Sequence, residues 1–295
     1  MSRAWRTAVL EGAGALLWWD LGTGRQGADV WDEARAAGWL GVAGDELLVP
    51  ARQAALDAWR AAWWPASRIA DLPPLDPRVL AARRALALAA LDGVTDDDEA
   101  VPRVLRELAG LTTRLGALDG RLGEQVRELA ADHGVDLETP DPFPAEEPAA
   151  PRTQTGAAPR QEEYALAAGA SGPAGTALLE GADPVDPGAV PQGVADPLGD
   201  VTWRVDLVRG VDLTLAVTVP AAPVVGEPPH VPLRAVAGDV VVPLRRAGDA
   251  WSGTVPAPPE LLAARPRYRL EVPGLTPVPD VDPHRLVEIA REVGP

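Results

Sequence analysis

The chain has 295 residues, with 27 basic and 43 acidic side chains and a formal net charge of −16. It contains no Cys, no Lys and no Asn, so its basic side chains, three His apart, are all Arg. These absences exclude disulfides, thiolate metal sites, cysteine nucleophiles and any Schiff-base or P-loop lysine, and the acid excess argues against nonspecific duplex binding.

The scarce residues have AT-rich codons and the abundant Arg, Ala, Gly, Pro and Trp have GC-rich ones, so a GC-rich bacterial genome accounts for the bias. The length fits about two domains. No apolar run reaches the roughly 18 residues of a membrane span. The opening MSRAWRTAVLEGAG, and the apolar run ending in Trp18-Trp19-Asp20, do not read as a signal peptide. A cytoplasmic location is therefore expected.

Charge and proline divide the chain. Residues 1–139 carry net −7, residues 140–200 net −8 with 11 Pro, and residues 201–295 net −1. The expected fold class is α+β multidomain: an α-helical domain over 1–138, an acidic Pro-rich linker over 139–200, and a small antiparallel β-sandwich over 201–295 with a short helix at its end.

In chain order, Ala4–Trp19 reads as an apolar helix weakened by Gly12 and Gly14. Ala28–Ala37 reads as an amphipathic helix. In WLGVAGDELLVP, two apolar runs flank Gly44-Asp45, the composition of a tight hairpin. Helices follow over Ala51–Trp64 and Pro77–Leu91, and Thr95 is read as the N-cap of another, with Asp96, Asp97, Asp98 and Glu99 favoured by its dipole. Val101, Leu108, Leu115, Leu122 and Leu129 then recur every seven residues, with Val104, Leu111, Leu118 and Gln125 three positions after the first four. This seam over 101–129 suits burial in a helical bundle or a homo-oligomer contact. Residues 139–160 read as an extended linker, with a short helix at Glu162–Ala168. Strands are expected at Trp203–Val208, Val211–Val219, His230–Val236, Asp239–Leu244, Ala250–Val255 and Arg267–Val272, then a helix over His284–Val293.

Few motifs carry chemistry. Gly22-Thr23-Gly24-Arg25-Gln26-Gly27 matches GxGxxG after an apolar run, and Asp45 lies 18 residues beyond Gly27. No further βαβ pattern surrounds it, so a flexible loop is the simpler reading. Asp280, Asp282 and His284 alternate in a Pro-rich stretch, better read as a solvated turn than as metal ligands. The three His (133, 230, 284) lack the local context of a catalytic triad. No catalytic, cofactor-binding or metal-binding residue is assigned, and no cofactor is expected.

Residues 28–64, which open with the string ADVWDEARAAGWLGVAGDELLVPARQAALDAW, resemble the back half of a winged-helix module, within a winged-helix-like part over 1–66. That resemblance implies helix, strand, turn, strand, helix, and DNA binding through a basic helix. Here the matching helix carries Asp29, Asp32 and Glu33 against Arg35, which favours a protein contact instead.

Eight of ten Trp lie in residues 1–64, and Trp18-Trp19 and Trp63-Trp64 are adjacent pairs. Neighbouring helical residues point about 100° apart, so each pair must meet more than one surface. Core burial explains most of them. Trp18, Trp19, Trp63 and Trp64 are the candidate partner-binding residues, because Trp is enriched in binding hot spots. The expected function is a noncatalytic adaptor or assembly protein joining protein partners. The alternatives are a nucleic-acid-binding regulator through the winged-helix-like segment and a nucleotide-binding enzyme using the 22–27 loop.

Overall fold

A computed structural model describes residues 4–294 other than 41–43, 92, 96, 138–175, 211 and 264. The fold is an α+β mix with three antiparallel sheets.

The chain opens with a three-stranded meander, β1 (Thr7–Gly12), β2 (Ala15–Asp20) and β3 (Gln26–Val30). The helix expected over 4–19 is a hairpin. Gly14, at φ +74°, makes the turn that Gly12 and Ala15 close. Ala15, Leu17 and Trp19 point into the core while Leu16 and Trp18 are less buried. That is the period-2 alternation of a strand; it was hidden because both faces are apolar.

The amphipathic helix expected over 28–37 starts later, as α1 (Glu33–Leu40), where Asp32 accepts from the Arg35 amide at 3.2 Å. The hairpin expected around Gly44-Asp45 is not formed; α2 runs from Gly44 to Trp63, with Pro50 in its second turn.

Helices α3 (Pro77–Ala89), α4 (Ala100–Leu115) and α5 (Gly120–Asp132) pack with Ala54 of α2 into one cluster. Asp76 caps α3 and its carboxylate also holds Arg78, whose Nη1 donates to the Leu115 and Gly116 carbonyls at the end of α4. The helix expected to open at Thr95 begins at Ala100, after Asp97 has accepted from the Glu99 amide. The heptad seam is cut at Gly116, φ +86°. Val104, Leu108 and Val126 are buried against α3 within the chain.

Of the stretch expected as linker, 139–175, with the Glu162–Ala168 helix, lie outside the described residues. Residues 176–200 are structured: β4 (Thr176–Pro184) pairs with β5 (Asp200–Val208). With β6 (Asp212–Pro220), β9 (Arg245–Ala247) and β10 (Ala250–Pro256) they form one sheet in the order β4-β5-β6-β10-β9. A second sheet, β11-β7-β8, joins β7 (Arg234–Ala237), β8 (Val240–Pro243) and β11 (Arg269–Glu271). The two share a core containing Trp203, Val205, Leu215, Val217, Leu233, Ala235 and Leu270. Arg209 and Gly210 turn the β5–β6 hairpin at positive φ, as that dipeptide suggests. The strand expected over 230–236 forms only from Arg234, after Pro228, Pro229 and Pro232, which cannot donate to a ladder.

The last helix, α6 (Pro283–Val293), leaves the β region. Its Leu286, Val287, Ile289 and Ala290 are buried in the core formed by Trp5, Leu17, Trp19, Trp59 and Trp64. Arg60 of α2 fastens it. Nη2 donates to the Val293 and Gly294 carbonyls at 2.7 and 2.8 Å, and Nη1 to Asp57 at 2.7 Å. Asp57 is 0% and Arg60 4% exposed. A guanidinium on the last carbonyls of a helix satisfies acceptors that have no intrahelical partner and meets the negative end of the dipole.

Two outcomes follow. Asp57→Ala leaves Arg60 buried without its counter-ion and is expected to cost about 3–5 kcal/mol in urea denaturation. The Arg78 guanidinium holds the Asp76 carboxyl below the usual carboxylate range. A depressed carboxyl stabilises the fold above its unfolded pKa, and the benefit fades as pH falls through the folded value. The stability gap between wild type and Asp76→Asn, which keeps a capping side chain, should therefore close as pH drops below about 4.

Candidate functional site

Helix α2 stops at Trp63 because Pro65 follows, and the residue before a proline is driven out of helical geometry. The chain then makes a tight turn over Ser67–Leu72, closed by amide bonds in both directions between those two residues at 2.8 and 2.9 Å. This turn is held by Asp196 from the β region. The Asp196 carboxylate, buried, accepts from Ser67 Oγ at 2.7 Å, the Arg68 amide at 2.9 Å and the Leu198 amide at 3.1 Å. Three donors satisfy most of a carboxylate's lone pairs, which is what a buried charge requires. Arg68 also pairs with Asp249.

Above the turn lies a cavity of about 230 Å³. Its walls are the end of α2 at Trp63 and Trp64, the irregular segment Pro187–Pro197, and residues Leu275–Val278 with Leu286 of α6. Asp186 holds the irregular wall by accepting from the Gly188 amide at 2.9 Å. A Cβ at Gly188 would lie 2.0 Å from the Val278 carbonyl oxygen, whose own amide donates back to Gly188 at 2.9 Å. Only glycine permits that approach.

The lining is mostly apolar, with Pro65, Pro187, Pro191 and Pro197 around the two indoles and the uncharged polar Gln192 and Thr276 beside them, and among the described residues no titratable side chain reaches it. Such a surface can hold an uncharged apolar group but supplies no acid, base or nucleophile. Trp64 is 1% exposed and its Nε1 donates to the Pro73 carbonyl at 2.8 Å, so it forms the floor. Trp63 is half-buried and forms the rim.

The four expected Trp are not brought together. Trp63 and Trp64 share the cavity. Trp19 lies in the first core, with Nε1 on Gln26 Oε1 at 3.1 Å. Trp18 is half-buried and lies over its cross-strand partner Gly27, where a Cβ would come within 2.5 Å of the ring. The wall from 187–197 was not anticipated. Its signal was Val190, Val194 and Ala195, apolar residues set among Pro and Gly and all buried.

The Gly22–Gly27 loop joins antiparallel β2 and β3, so no strand-to-helix turn exists there. Its donors are spent internally: Asp20 Oδ1 accepts from the Gly22 and Thr23 amides at 2.9 and 3.0 Å, and the Asp20 carbonyl from Gly24 at 2.8 Å. Those are the amides a phosphate would need. Asp282 is spent as the cap of α6, accepting from the His284 and Arg285 amides. Among the described residues no helix is long and apolar enough to cross a membrane. Compared with known proteins, the chain matches no family model, no curated protein and no solved structure.

Floor and rim should separate on mutation. Trp64→Ala is expected to cost about 3–5 kcal/mol, as large-to-small core changes do. Trp63→Ala should cost clearly less and leave a cooperative transition, both read by thermal unfolding.

Proposed function

We propose that the protein is a noncatalytic adaptor or assembly component that captures a protein partner through the Trp63 cavity. The observation that carries this is the cavity's chemistry. Two indoles and four prolines form its wall, and no ionisable group of the described lining faces it. A rigid apolar notch with a half-exposed Trp at its lip suits an inserted partner side chain, the arrangement of a binding hot spot. On this reading residues 1–138 and α6 form one module, the two β-sheets of the β region form a small sandwich, and the working location is the cytoplasm.

The two modules are joined by more than the intervening chain. Asp196 and Asp249 clasp the turn that follows the cavity. A partner seated in the notch therefore touches both parts at once. This adaptor works as a jointed surface rather than as two modules on a free tether.

The test is retention from native lysate on immobilised full chain, compared between wild type and Trp63→Ala. A stoichiometric protein held by wild type and lost from the folded variant supports the reading. Equal retention by both, or turnover of a small substrate by the purified chain, overturns it.

A further inference from the structure

The first sheet ends on β3, which among the described residues has one neighbour, β2. The Trp31 amide donates to the Gly14 carbonyl at 3.0 Å, and the Asp20 amide to the Arg25 carbonyl at 2.8 Å. Bonded positions alternate along an antiparallel ladder, so Gly27 and Asp29 face β2 as Arg25 and Trp31 do. Gln26, Ala28 and Val30 therefore turn their amides and carbonyls to the open edge. Such an edge is a template for another strand, and β3 contains no Pro, Lys or Arg to blunt pairing.

A groove of about 590 Å³ runs between this edge and the first half of α2. Ala28 stands opposite Leu17, and Gln26 opposite Trp19, so their side chains share the sheet face that packs on α2. Leu48, Val49 and Arg52 of α2 form the other side. Val49 is 69% and Leu48 37% exposed. Apolar side chains left uncovered along a groove mark a contact surface. Arg52 is exposed, is the one charged side chain of the described lining, and has no ion pair among the described residues.

We propose that this edge is a binding surface independent of the Trp63 cavity, and that it takes an extended, acidic peptide segment of a partner protein as a fourth strand beside β3. The segment's backbone pairs with Gln26, Ala28 and Val30, the mode of strand addition. Every second side chain of the added strand then falls on Leu48 and Val49, which calls for apolar residues in alternation. Arg52 selects a carboxylate on that same face. A second copy of β3 fits less well, because its residues on that face, Gln26, Ala28 and Val30, include no acid.

The probe is a fluorescein-labelled peptide, Glu-Thr-Val-Thr-Val-Thr-Glu, whose polarisation is followed as the full chain is added. Saturable binding is expected. Arg52→Gln, or Gln in place of both peptide Glu, should weaken it roughly tenfold, the loss of one charge-assisted bond. Ala28→Pro removes an amide that β2 does not use, a change edge strands tolerate, and should abolish binding. If that variant fails to fold, the peptide carries the same test: methylating its Val amides or its Thr amides should abolish binding for one set and spare it for the other. Four outcomes overturn the proposal: no saturable binding, equal affinity for wild type and Arg52→Gln, equal loss from methylating either set, or a wild-type dimer in sedimentation that Ala28→Pro dissociates, which would give the edge to a second copy.

Discussion

The fold depends on one buried cation. Arg60 gathers the Asp57 carboxylate and the carbonyls of Val293 and Gly294 into one cluster, across more than 230 residues of chain. A buried ion pair contributes little net stability, because desolvation offsets its Coulomb energy. Its effect is on specificity. Arg60 has five donors in a fixed plane, and only a helix end arriving at this place and angle meets them. With α6 so placed, Leu286, Val287 and Ile289 close the core over Trp59 and Trp64. The same placement sets Leu286 beside Trp63 as one wall of the cavity. Without that helix end the indoles would face water.

Much of the β region was legible from its sequence. Val211–Val219 alternates cleanly, so β6 and β10 emerge within a residue of their expected bounds, while β5 starts three residues before the expected Trp203. The opening strands were not legible, because Ala15–Trp19 is apolar on both faces and alternation vanishes when every residue is apolar. Glycine added to the confusion. Gly12, Gly27 and Gly181 weaken a helix or strand by propensity, yet each is where an indole lies against the backbone: Trp39 on Gly12, Trp18 on Gly27, Trp203 on Gly181. That pairing joins residues 9 to 27 positions apart and cannot be read from local windows. Of the heptad seam, Val104 and Leu108 are buried, Val101, Leu111, Leu118, Leu122 and Leu129 pack part-buried against that cluster and Gln125 is exposed, and Gly116 at positive φ turned one long helix into two. The cavity was half legible. Trp63 and Trp64 stood out as a pair, while Pro187–Pro197 looked like tether because irregular segments carry no period.

Of the stretch expected as linker, residues 176–200 are folded, and Asp196 within them touches the turn after α2. Two domains on a flexible chain act by effective concentration, and the span of the chain sets the gain. Here the turn after α2 is gripped by Asp196 through a side-chain hydroxyl and a backbone amide. Backbone donors make such a grip insensitive to the identity of residues 68 and 69, which leaves Arg68 and Ile69 side chains outward. The junction is therefore held by the Asp196 carboxylate through the Ser67 hydroxyl and main-chain amides, with Arg68 turned to Asp249 and Ile69 exposed.

Asp249 links the turn after α2 to the β region in electrostatic terms. It is a single carboxylate whose charge acts on the guanidinium groups of both Arg68 and Arg246. In this structure it is bonded to Arg68, which steadies the turn beside the Trp63 cavity and leaves Arg246 with an unmet donor. Were Asp249 to swing to Arg246 instead, the turn would lose its outer ion pair and retain only the Asp196 grip.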